Sequence, residues 1–355
     1  MGLTQSQRAM IEKARSVGAG LQGVAMSDHD CSFLVATIVA DLGLGSHFPE
    51  LPATVVPFFD YDARARSVLP TDRFSDQFER LVTLDPNADT YFACLSALLK
   101  SRLKYQRILE TQPIPTLDQV GPRGLLQFGT LASRALAALL LWRKWLFDID
   151  NRAGQETGYL FEPIICSAIG GVSIGPSRSP VHRRQDPTSG RQVDCVRDAR
   201  AYEIKLRVTI AASGQGRWQE QLDFPLDCKS SGYRPILLVL DPTPNDKLDE
   251  LKRAFVAQGG QAHVGPEAWK HLESLAGTTM SIFLRKYVRD PMTALLAADQ
   301  GEAGNLPDLT LRLSASEFVA SLSGETLWVP RAPPGQSAAP GAAPPDDDDE
   351  EAPHP

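Results

Sequence analysis

The chain has 355 residues, of which 43% are hydrophobic and 22% are charged, and a formal net charge of −7. Such a composition is typical of a globular protein with one large domain or two ordinary ones, and it excludes a fibrous or wholly disordered chain. The negative charge argues against a polyanionic partner only at first sight, because residues 331–355 contribute −5 and leave the rest near −2.

Cysteine usage and hydropathy indicate a cytoplasmic protein. The five cysteines are far apart and odd in number, which predicts neither a disulfide framework nor a zinc site. The N-terminus lacks the apolar core of a signal peptide. The most apolar run, residues 135–141, is too short to cross a bilayer and is predicted to be a buried helix.

Helical spacing of apolar residues dominates the first 150 residues. It predicts two helices before residue 48 and three more, over residues 75–84, 90–110 and 125–148. Two proline-rich segments are predicted to be irregular connections, over residues 49–70 and 112–124.

Two short motifs near the N-terminus are predicted to be structural. A GxGxxG pattern over residues 18–23 follows a helix instead of a strand, which indicates a loop. Asp28, His29 and Asp30 could bind a metal, but such a cluster between two helices is more typical of a helix N-cap.

From residue 153 the pattern changes to helices that alternate with strands. Residues 155–171 have the spacing of a helix that two glycines end. Pro163 is awkward inside it, so the helix is kinked or begins later than Glu156. A short strand over residues 172–174 and a basic loop follow.

Residues 191–207 have the period-2 alternation of a β-hairpin with one buried face. If Val196 pairs with Ala201 across a polar turn, Asp194 lies opposite Glu203 and Lys205 follows on the same face. The apolar positions that alternate with them are Val193, Cys195, Tyr202, Ile204 and Leu206.

The three charged side chains of this hairpin indicate a metal site. Two carboxylates that face each other across a strand pair repel, and a hard divalent cation such as Mg²⁺ removes the repulsion. A lysine beside the cation can position or deprotonate an attacking water. The spacing alone does not exclude a solvated hairpin face with a Glu-Lys pair.

Basic residues surround the hairpin. Residues 177–217 contain nine lysines and arginines against four acids. This local excess of five positive charges would attract phosphates, although a solvated basic loop has the same composition.

The remaining elements predict an α/β sandwich. The apolar run over residues 234–241 is typical of a central strand buried on both faces. Helices are predicted from residue 217, over 246–258 and from Pro266, with a short strand over 262–265. Residues 279–330 are predicted to form one or two further helices and a short hydrophobic end.

The last 25 residues are rich in proline, alanine and acid and are predicted to be disordered. Such a tail is usually a solubilising appendage. It could also shield the basic surface by mimicking nucleic acid.

This order of elements and charges resembles the core of the PD-(D/E)xK nucleases. The matching residues are Glu162 or Glu156 on the first helix, Asp194 on the first hairpin strand, and Glu203 and Lys205 on the second. The resemblance covers residues 153–275, with Val193 where the motif has proline. It implies a mixed central sheet flanked by helices, here with a large helical N-terminal region.

Further segments resemble the ApaLI-like group of type II restriction endonucleases, over residues 103–110, 119–126, 142–145 and 156–165. This resemblance covers most of the chain. It implies a Mg²⁺-dependent homodimer that hydrolyses double-stranded DNA at specific sites in restriction-modification defence. A companion DNA methyltransferase is expected in the same system, but not as a bound subunit.

The resemblance also implies roles for the hairpin residues. Asp194, Glu203 and the backbone carbonyl of Ile204 would bind Mg²⁺, which activates a water. Lys205 would orient that water or take its proton, for which a desolvated lysine can have a depressed pKa.

Glu162 would contact a metal-bound water or a second ion. It is preferred to Glu156, because both cannot share one face of a single helix and the apolar spacing after Glu162 is cleaner. Candidate DNA contacts, which could also be ordinary loop or surface side chains, are His182, Arg183, Arg184, Arg207, Gln219 and Gln221.

The expected organisation begins with a helical region over residues 1–150 for DNA recognition, dimerisation or both. The nuclease core follows over 151–290, a helical C-terminal extension over 291–330 and the tail over 331–355. The alternatives are a nonspecific or repair nuclease on the same core, a noncatalytic DNA-binding protein, and a helical interaction protein that binds no DNA.

Overall fold

The chain divides into two compact units. The computed structural model describes residues 2–17, 23–52, 54–128, 133–157, 160–206, 215–297, 308–322 and 324–332. The larger unit comprises Met1–Arg15, Met26–Leu98 and Tyr159–Ala298, and the smaller unit comprises Ser16–Ala25, Leu99–Gly158 and Asp299–Pro355. Most of the GxGxxG pattern and the tail from residue 333 lie outside the described residues.

The N-terminal part of the chain is helical, as predicted. Its helices are α1 (Gln5–Arg15), α2 (Asp28–Asp41), α3 (Tyr61–Arg66), α4 (Phe74–Leu84) and α5 (Ala88–Thr111). The short helix α3 lies inside residues 49–70, which were predicted to be irregular throughout. Single 3₁₀ turns lie at Gly45–His47 and Thr71–Arg73.

A capping box begins α2. Ser27 Oγ accepts a hydrogen bond from the Asp30 N–H at 3.1 Å, and Asp30 Oδ2 accepts one from the Ser27 N–H at 2.9 Å. Asp30 also forms a buried ion pair with Arg64. The cluster of Asp28, His29 and Asp30 therefore belongs to a helix N-terminus, as predicted.

The smaller unit contains a pair of helices, α6 (Leu117–Phe128) and α7 (Arg134–Thr157). The prediction of an irregular connection over 112–124 is wrong, because α6 runs through Pro122 and Gly124. A Cβ added at Gly124 would lie 2.6 Å from Leu140 Cδ1, so glycine lets α6 approach α7 closely. This packing overrides the weak local helix propensity.

The apolar run over residues 135–141 is helical but is not buried throughout. Leu140 is 4% exposed, whereas Leu139 is 60% exposed. The predicted helix over 155–171 begins later than Glu156, which belongs to α7. Helix α8 (Phe161–Ala168) follows, with Pro163 in its first turn, where proline needs no hydrogen-bond partner.

A five-stranded mixed sheet forms the centre of the larger unit, in the order β1-β2-β3-β4-β5. The pairs β1-β2 and β2-β3 are antiparallel, and the pairs β3-β4 and β4-β5 are parallel. The strands are β1 (Val172–Ile174), β2 (Val193–Arg197), β3 (Arg200–Lys205), β4 (Arg234–Val239) and β5 (Gln261–Val264).

The predicted hairpin is confirmed in position and in register. Val196 pairs with Ala201, and a two-residue turn joins β2 to β3. Asp198 in this turn has a φ of 53°, in the left-handed region that aspartate tolerates better than most residues. The β4 residues Ile236–Val239 are buried, as predicted for a central strand.

Helices cover both faces of the sheet. They include α9 (Gln215–Ser230), α10 (Asp246–Ala257) and α11 (Pro266–Leu284), and a π-helical turn at Arg285–Arg289 then leads to α12 (Asp290–Ala297). Ala201 packs in one core with Phe224 of α9 and Phe255 of α10. The next residue, Tyr202, points to the other face, with its hydroxyl 3.5 Å from His271 Nε2 of α11. The predicted α/β class is confirmed.

Three strands lie between residues 310 and 330, so the helical C-terminal extension predicted there is wrong. They form an antiparallel sheet of β6 (Thr310–Leu313), β7 (Glu317–Leu322) and β8 (Glu325–Pro330). Phe318 and Val329 of this sheet pack against Trp145 and Ile149 of α7. Alternating apolar residues such as Leu311 and Leu313 are the signal that could have indicated strands.

All five cysteines are buried free thiols. Within the described ranges, no helix combines the length and the apolar character needed to cross a membrane.

Candidate active site

Asp194 is fixed against the neighbouring strand. Its Oδ2 accepts a hydrogen bond from the backbone N–H of Ile204 at 2.8 Å. The hairpin register, continued by one residue beyond the pair Cys195 and Tyr202, places Asp194 opposite Glu203. Burial, together with repulsion from Glu203, raises the pKa of Asp194 to about 7.

Glu203 and Lys205 form an ion pair on the next strand. The distance from Lys205 Nζ to Glu203 Oε1 is 2.8 Å, and both side chains are less than one fifth exposed. Burial lowers the pKa of Lys205, but the carboxylate of Glu203 and those of Asp194 and Glu162 outweigh it and hold the pKa above its ordinary value. Among these carboxylates alone, the pKa of Lys205 is therefore raised and not depressed.

Glu162 completes this charged cluster from the first turn of α8. Its charge acts on both Asp194 and Lys205. Its Oε2 is buried and has no hydrogen-bond partner. Glu162, Asp194, Glu203 and Lys205 thus act on one another electrostatically, and their role as a catalytic site stays a prediction. The side chain of Glu156 lies outside the described part of the chain.

The oxygen atoms of the cluster are of the type that a hard divalent cation binds. Carboxylates and a backbone carbonyl are the ligands that Mg²⁺ prefers. In an extended strand the N–H and C=O of one residue point to the same side, so the Ile204 carbonyl faces the side on which Asp194 lies. Among the described residues, no three Asp, Glu, His or Cys side chains are arranged so that they could hold a metal ion.

The basic loop before β2 is docked on α9. The His182 N–H donates to Ser231 Oγ at 3.0 Å, and the Arg184 N–H donates to Asp227 Oδ1 at 2.8 Å. Arg183 forms an ion pair of 2.5 Å with Glu220. The side chains of His182 and Arg184 are exposed, so they are available to a ligand.

Arg191 has a structural role that sequence reasoning missed. Its guanidinium lies 2.5 Å from Asp227 Oδ2 and above the Phe224 ring, and both charged side chains are less than 10% exposed. The net positive charge around the basic loop is therefore smaller in the folded chain than in the sequence, because α9 brings Glu220 and Asp227 to this loop. No local pattern links Arg191 to an acid 36 residues away.

The remaining predicted DNA contacts have different surroundings. Gln219 is exposed on α9 and donates to Asp223 Oδ1 within the same helix, at 3.1 Å. Gln221 is half-buried on the same helix. Arg207 lies outside the described residues.

Comparisons with known proteins identify the family. A family model described as ApaLI-like restriction endonuclease matches residues 60–289. The chain belongs to the ApaLI-like restriction endonuclease family. The type II restriction enzyme ApaLI of Acetobacter pasteurianus is 43% identical over 331 residues, which cover 86% of this chain and 88% of that enzyme. No solved structure matches the chain significantly.

Family membership confirms the predicted function. The protein is a type II restriction endonuclease, which cleaves DNA at specific sites in a restriction-modification system. The matched residues 60–289 contain the whole charged cluster on α8, β2 and β3.

Proposed function

We propose that the charged cluster is the active site of a PD-(D/E)xK nuclease core that hydrolyses phosphodiester bonds of double-stranded DNA with Mg²⁺. One observation carries the proposal. Asp194, Glu203 and Lys205 lie on adjacent antiparallel strands beside Glu162, whose buried carboxylate oxygen has no partner. The strand order of the mixed sheet, with antiparallel strands before parallel ones, supports the same core.

The acidic side chains would hold the cation. Asp194, Glu203, the Ile204 carbonyl and Glu162 offer the oxygen ligands, and Glu203 would exchange its contact with Lys205 for one with the ion. Bound Mg²⁺ would polarise the scissile phosphate and lower the pKa of an attacking water. Glu162 Oε2 has no hydrogen-bond partner, and the pKa of Asp194 is raised. Both observations indicate that a bound cation would stabilise the carboxylates of this cluster.

Lys205 acts as a hydrogen-bond donor and a positive charge in this mechanism. Its neighbouring carboxylates raise its pKa, so the ammonium is protonated before the cation binds. The ammonium would hold the attacking water or a phosphate oxygen and stabilise the negative charge that develops in the transition state. The neighbouring carboxylates orient the side chain before DNA binds.

The basic loop would contact DNA beside the cluster. His182 and Arg184 present exposed side chains from a loop whose backbone is fixed to Ser231 and Asp227. A fixed loop orders its phosphate contacts in advance, which lowers the entropic cost of binding. Arg183 would have to leave Glu220 to reach DNA, so it is the weaker candidate of the two arginines.

Digestion of a long DNA of known sequence, with and without Mg²⁺, tests the proposal when it is followed by mapping of the ends. Discrete fragments are expected from the wild-type protein with Mg²⁺ only. Asp194→Asn should abolish cleavage into these fragments but retain DNA binding. The control Asp249→Asn, on the exposed side of α10, should still produce the fragments. A smear would indicate a nonspecific nuclease, and full activity of Asp194→Asn would overturn the proposed site.

A further inference from the structure

The basic loop before β2 is folded into a short two-stranded ribbon. Two backbone hydrogen bonds pair its strands, one from the Arg191 N–H to the Val181 carbonyl at 2.8 Å and one from the Arg183 N–H to the Ser189 carbonyl at 2.9 Å. We call residues 181–191 the ribbon. Its paired residues form the stem, and residues 184–188 form the tip.

The stem of the ribbon is fixed to the larger unit. Val181 is fully buried in the core beneath the sheet. Arg191 is held by its buried ion pair with Asp227. A Cβ at Gly190 would overlap the carbonyl oxygen of Pro176, so glycine lets the stem pack directly against another backbone segment. The tip is therefore carried by a rigid support.

The tip consists of two consecutive β-turns. The Asp186 N–H donates to the Arg183 carbonyl at 3.2 Å, and the Ser189 N–H donates to the Asp186 carbonyl at 3.0 Å. Arg184 and Gln185 occupy the two central positions of the first turn. Both side chains are exposed. They are therefore presented to a ligand by the fold of the ribbon.

The charges of the tip are balanced. Thr188 donates to Asp186 Oδ1 at 3.1 Å from its N–H and at 2.6 Å from its hydroxyl, so this carboxylate is held within the second turn. Arg184 is the one cation of residues 184–188, and Asp186 is the one anion. A surface that binds only phosphates needs an excess of positive charge. A balanced tip with an exposed carboxamide is better suited to hydrogen bonds with base edges.

The dimensions of the ribbon suit the major groove of DNA. This groove is about 12 Å wide and admits a two-stranded ribbon. Gln185 is nine residues before Asp194. Nine extended residues span at most about 30 Å, and the turns of the tip shorten this distance. Since one helical turn of DNA is about 34 Å long, the tip lies within one turn of a phosphate at the charged cluster.

We infer that Gln185 reads an adenine in the major groove of the cleaved site, while the neighbouring Arg184 contacts a phosphate. A glutamine carboxamide accepts from the adenine N6 amino group and donates to N7, a pair that no other base edge in this groove offers. Gln219 has the same group, but its amide already donates to Asp223 within α9. The inference rests on the proposed function, because the charged cluster places the cut beside the ribbon.

Cleavage of a duplex library with randomised positions, followed by sequencing of the cut ends, separates the two roles. Gln185→Ala should lower kcat/KM for the wild-type site by roughly 10–100-fold and relax the preference at an A·T position alone. Arg184→Ala should weaken binding to all sequences alike and reduce the log–log salt slope of binding by about 1. The control Gln258→Ala, half-buried at the end of α10, should behave as the wild-type protein does.

Substitution of 7-deazaadenine at each adenine of the mapped site tests the hydrogen bond itself. This base lacks the N7 acceptor. At one adenine position it should slow cleavage by the wild-type protein about tenfold or more, and it should not slow Gln185→Ala further. A structural role of Gln185 would not produce this loss of additivity, because the folded variant would still respond to the modified base.

Three outcomes would overturn the inference. They are an unchanged preference and kcat/KM of Gln185→Ala, an equal loss on all sequences, and a full response of Gln185→Ala to 7-deazaadenine at every position. Circular dichroism checks that each variant retains its fold. Cleavage by Asp194→Asn would instead disprove the proposed active site, and a relaxed preference of Gln185→Ala would still support base reading by the ribbon.

Discussion

The sheet of the larger unit has charged side chains in its interior, whereas the helix pair of the smaller unit has apolar side chains on its surface. Glu203 and Lys205 are less than one fifth exposed. Leu126 and Leu139 are 88% and 60% exposed. Each arrangement costs free energy in a lone chain, because buried charges lose hydration and exposed apolar groups order water.

The comparison separates two kinds of binding surface. Buried carboxylates are stabilised by a compact cation, and an exposed apolar face is stabilised by another protein surface. A substitution in the first should change chemistry, and a substitution of an exposed residue in the second should leave the stability of the chain nearly unchanged. Five predictions test this separation, in order of decreasing expected effect.

Arg191→Met tests whether a buried charge of the larger unit needs its partner. The substitution leaves the Asp227 carboxylate buried without its ion pair, so we expect the free energy of unfolding to fall by about 3–5 kcal/mol. Urea denaturation measures the change. Arg183→Met removes the exposed ion pair with Glu220 and should cost about 0–1 kcal/mol. Equal losses would contradict the role assigned to Arg191.

Lys205→Met tests the catalytic charge. The substitution retains most of the side-chain length but removes the ammonium, so kcat for DNA cleavage should fall about 10²–10³-fold. Lys252→Met changes an exposed lysine paired with Asp249 on α10 and serves as the control. Single-turnover cleavage of a mapped site measures both. Full activity of Lys205→Met would exclude Lys205 from the chemistry.

Gly124→Val tests the packing that supports the apolar face. A Cβ at Gly124 meets Leu140, so overpacking should destabilise the protein by about 1–3 kcal/mol. Gly121→Val lies in the same helix with open space at its Cβ and should change stability by less than about 0.5 kcal/mol. Thermal denaturation compares the two. No difference between them would mean that α6 does not need this close approach.

Glu162→Gln tests whether the charged cluster is arranged for a cation. Without divalent cations the variant should be slightly more stable, by less than about 1 kcal/mol, because one of the carboxylates that raise the pKa of Asp194 is neutral. With Mg²⁺, it should gain less stability than the wild-type protein. Glu325→Gln, an exposed change on β8, should respond to Mg²⁺ as the wild-type protein does. An unchanged response of Glu162→Gln would remove Glu162 from the metal site.

Leu126→Gln should have the smallest effect on the folded chain. Leu126 is 88% exposed, so its replacement should change the free energy of unfolding of the monomer by less than about 0.5 kcal/mol. Urea denaturation measures the change. A large loss of monomer stability would mean that Leu126 already packs within its own chain.

The sequence was sufficient for features that depend on near neighbours. The alternation around Asp194 and Glu203 and the short polar turn determine the hairpin register, which the pairing of Val196 with Ala201 confirms. Pro163 similarly indicated a helix that begins late, because a proline fits only the first turn.

Features that depend on distant residues could not be predicted. Helix α6 forms through Pro122 and Gly124 because Gly124 packs against Leu140, which only the fold reveals. The burial of Arg191 depends in the same way on Asp227. The raised pKa of Lys205 depends on the geometry of three carboxylates, whereas sequence reasoning considered burial alone.

The turn between β2 and β3 makes the proposed active site sensitive to insertions and deletions. It contains two residues, with Asp198 at a φ of 53°. Because successive side chains alternate between faces, a shift of one residue would exchange Glu203 and Lys205 for Tyr202 and Ile204 opposite Asp194. A substitution in the turn alters one side chain, but the gain or loss of a single codon would disassemble the whole charged cluster. Among homologous genes, the length of this turn should therefore vary less than its composition.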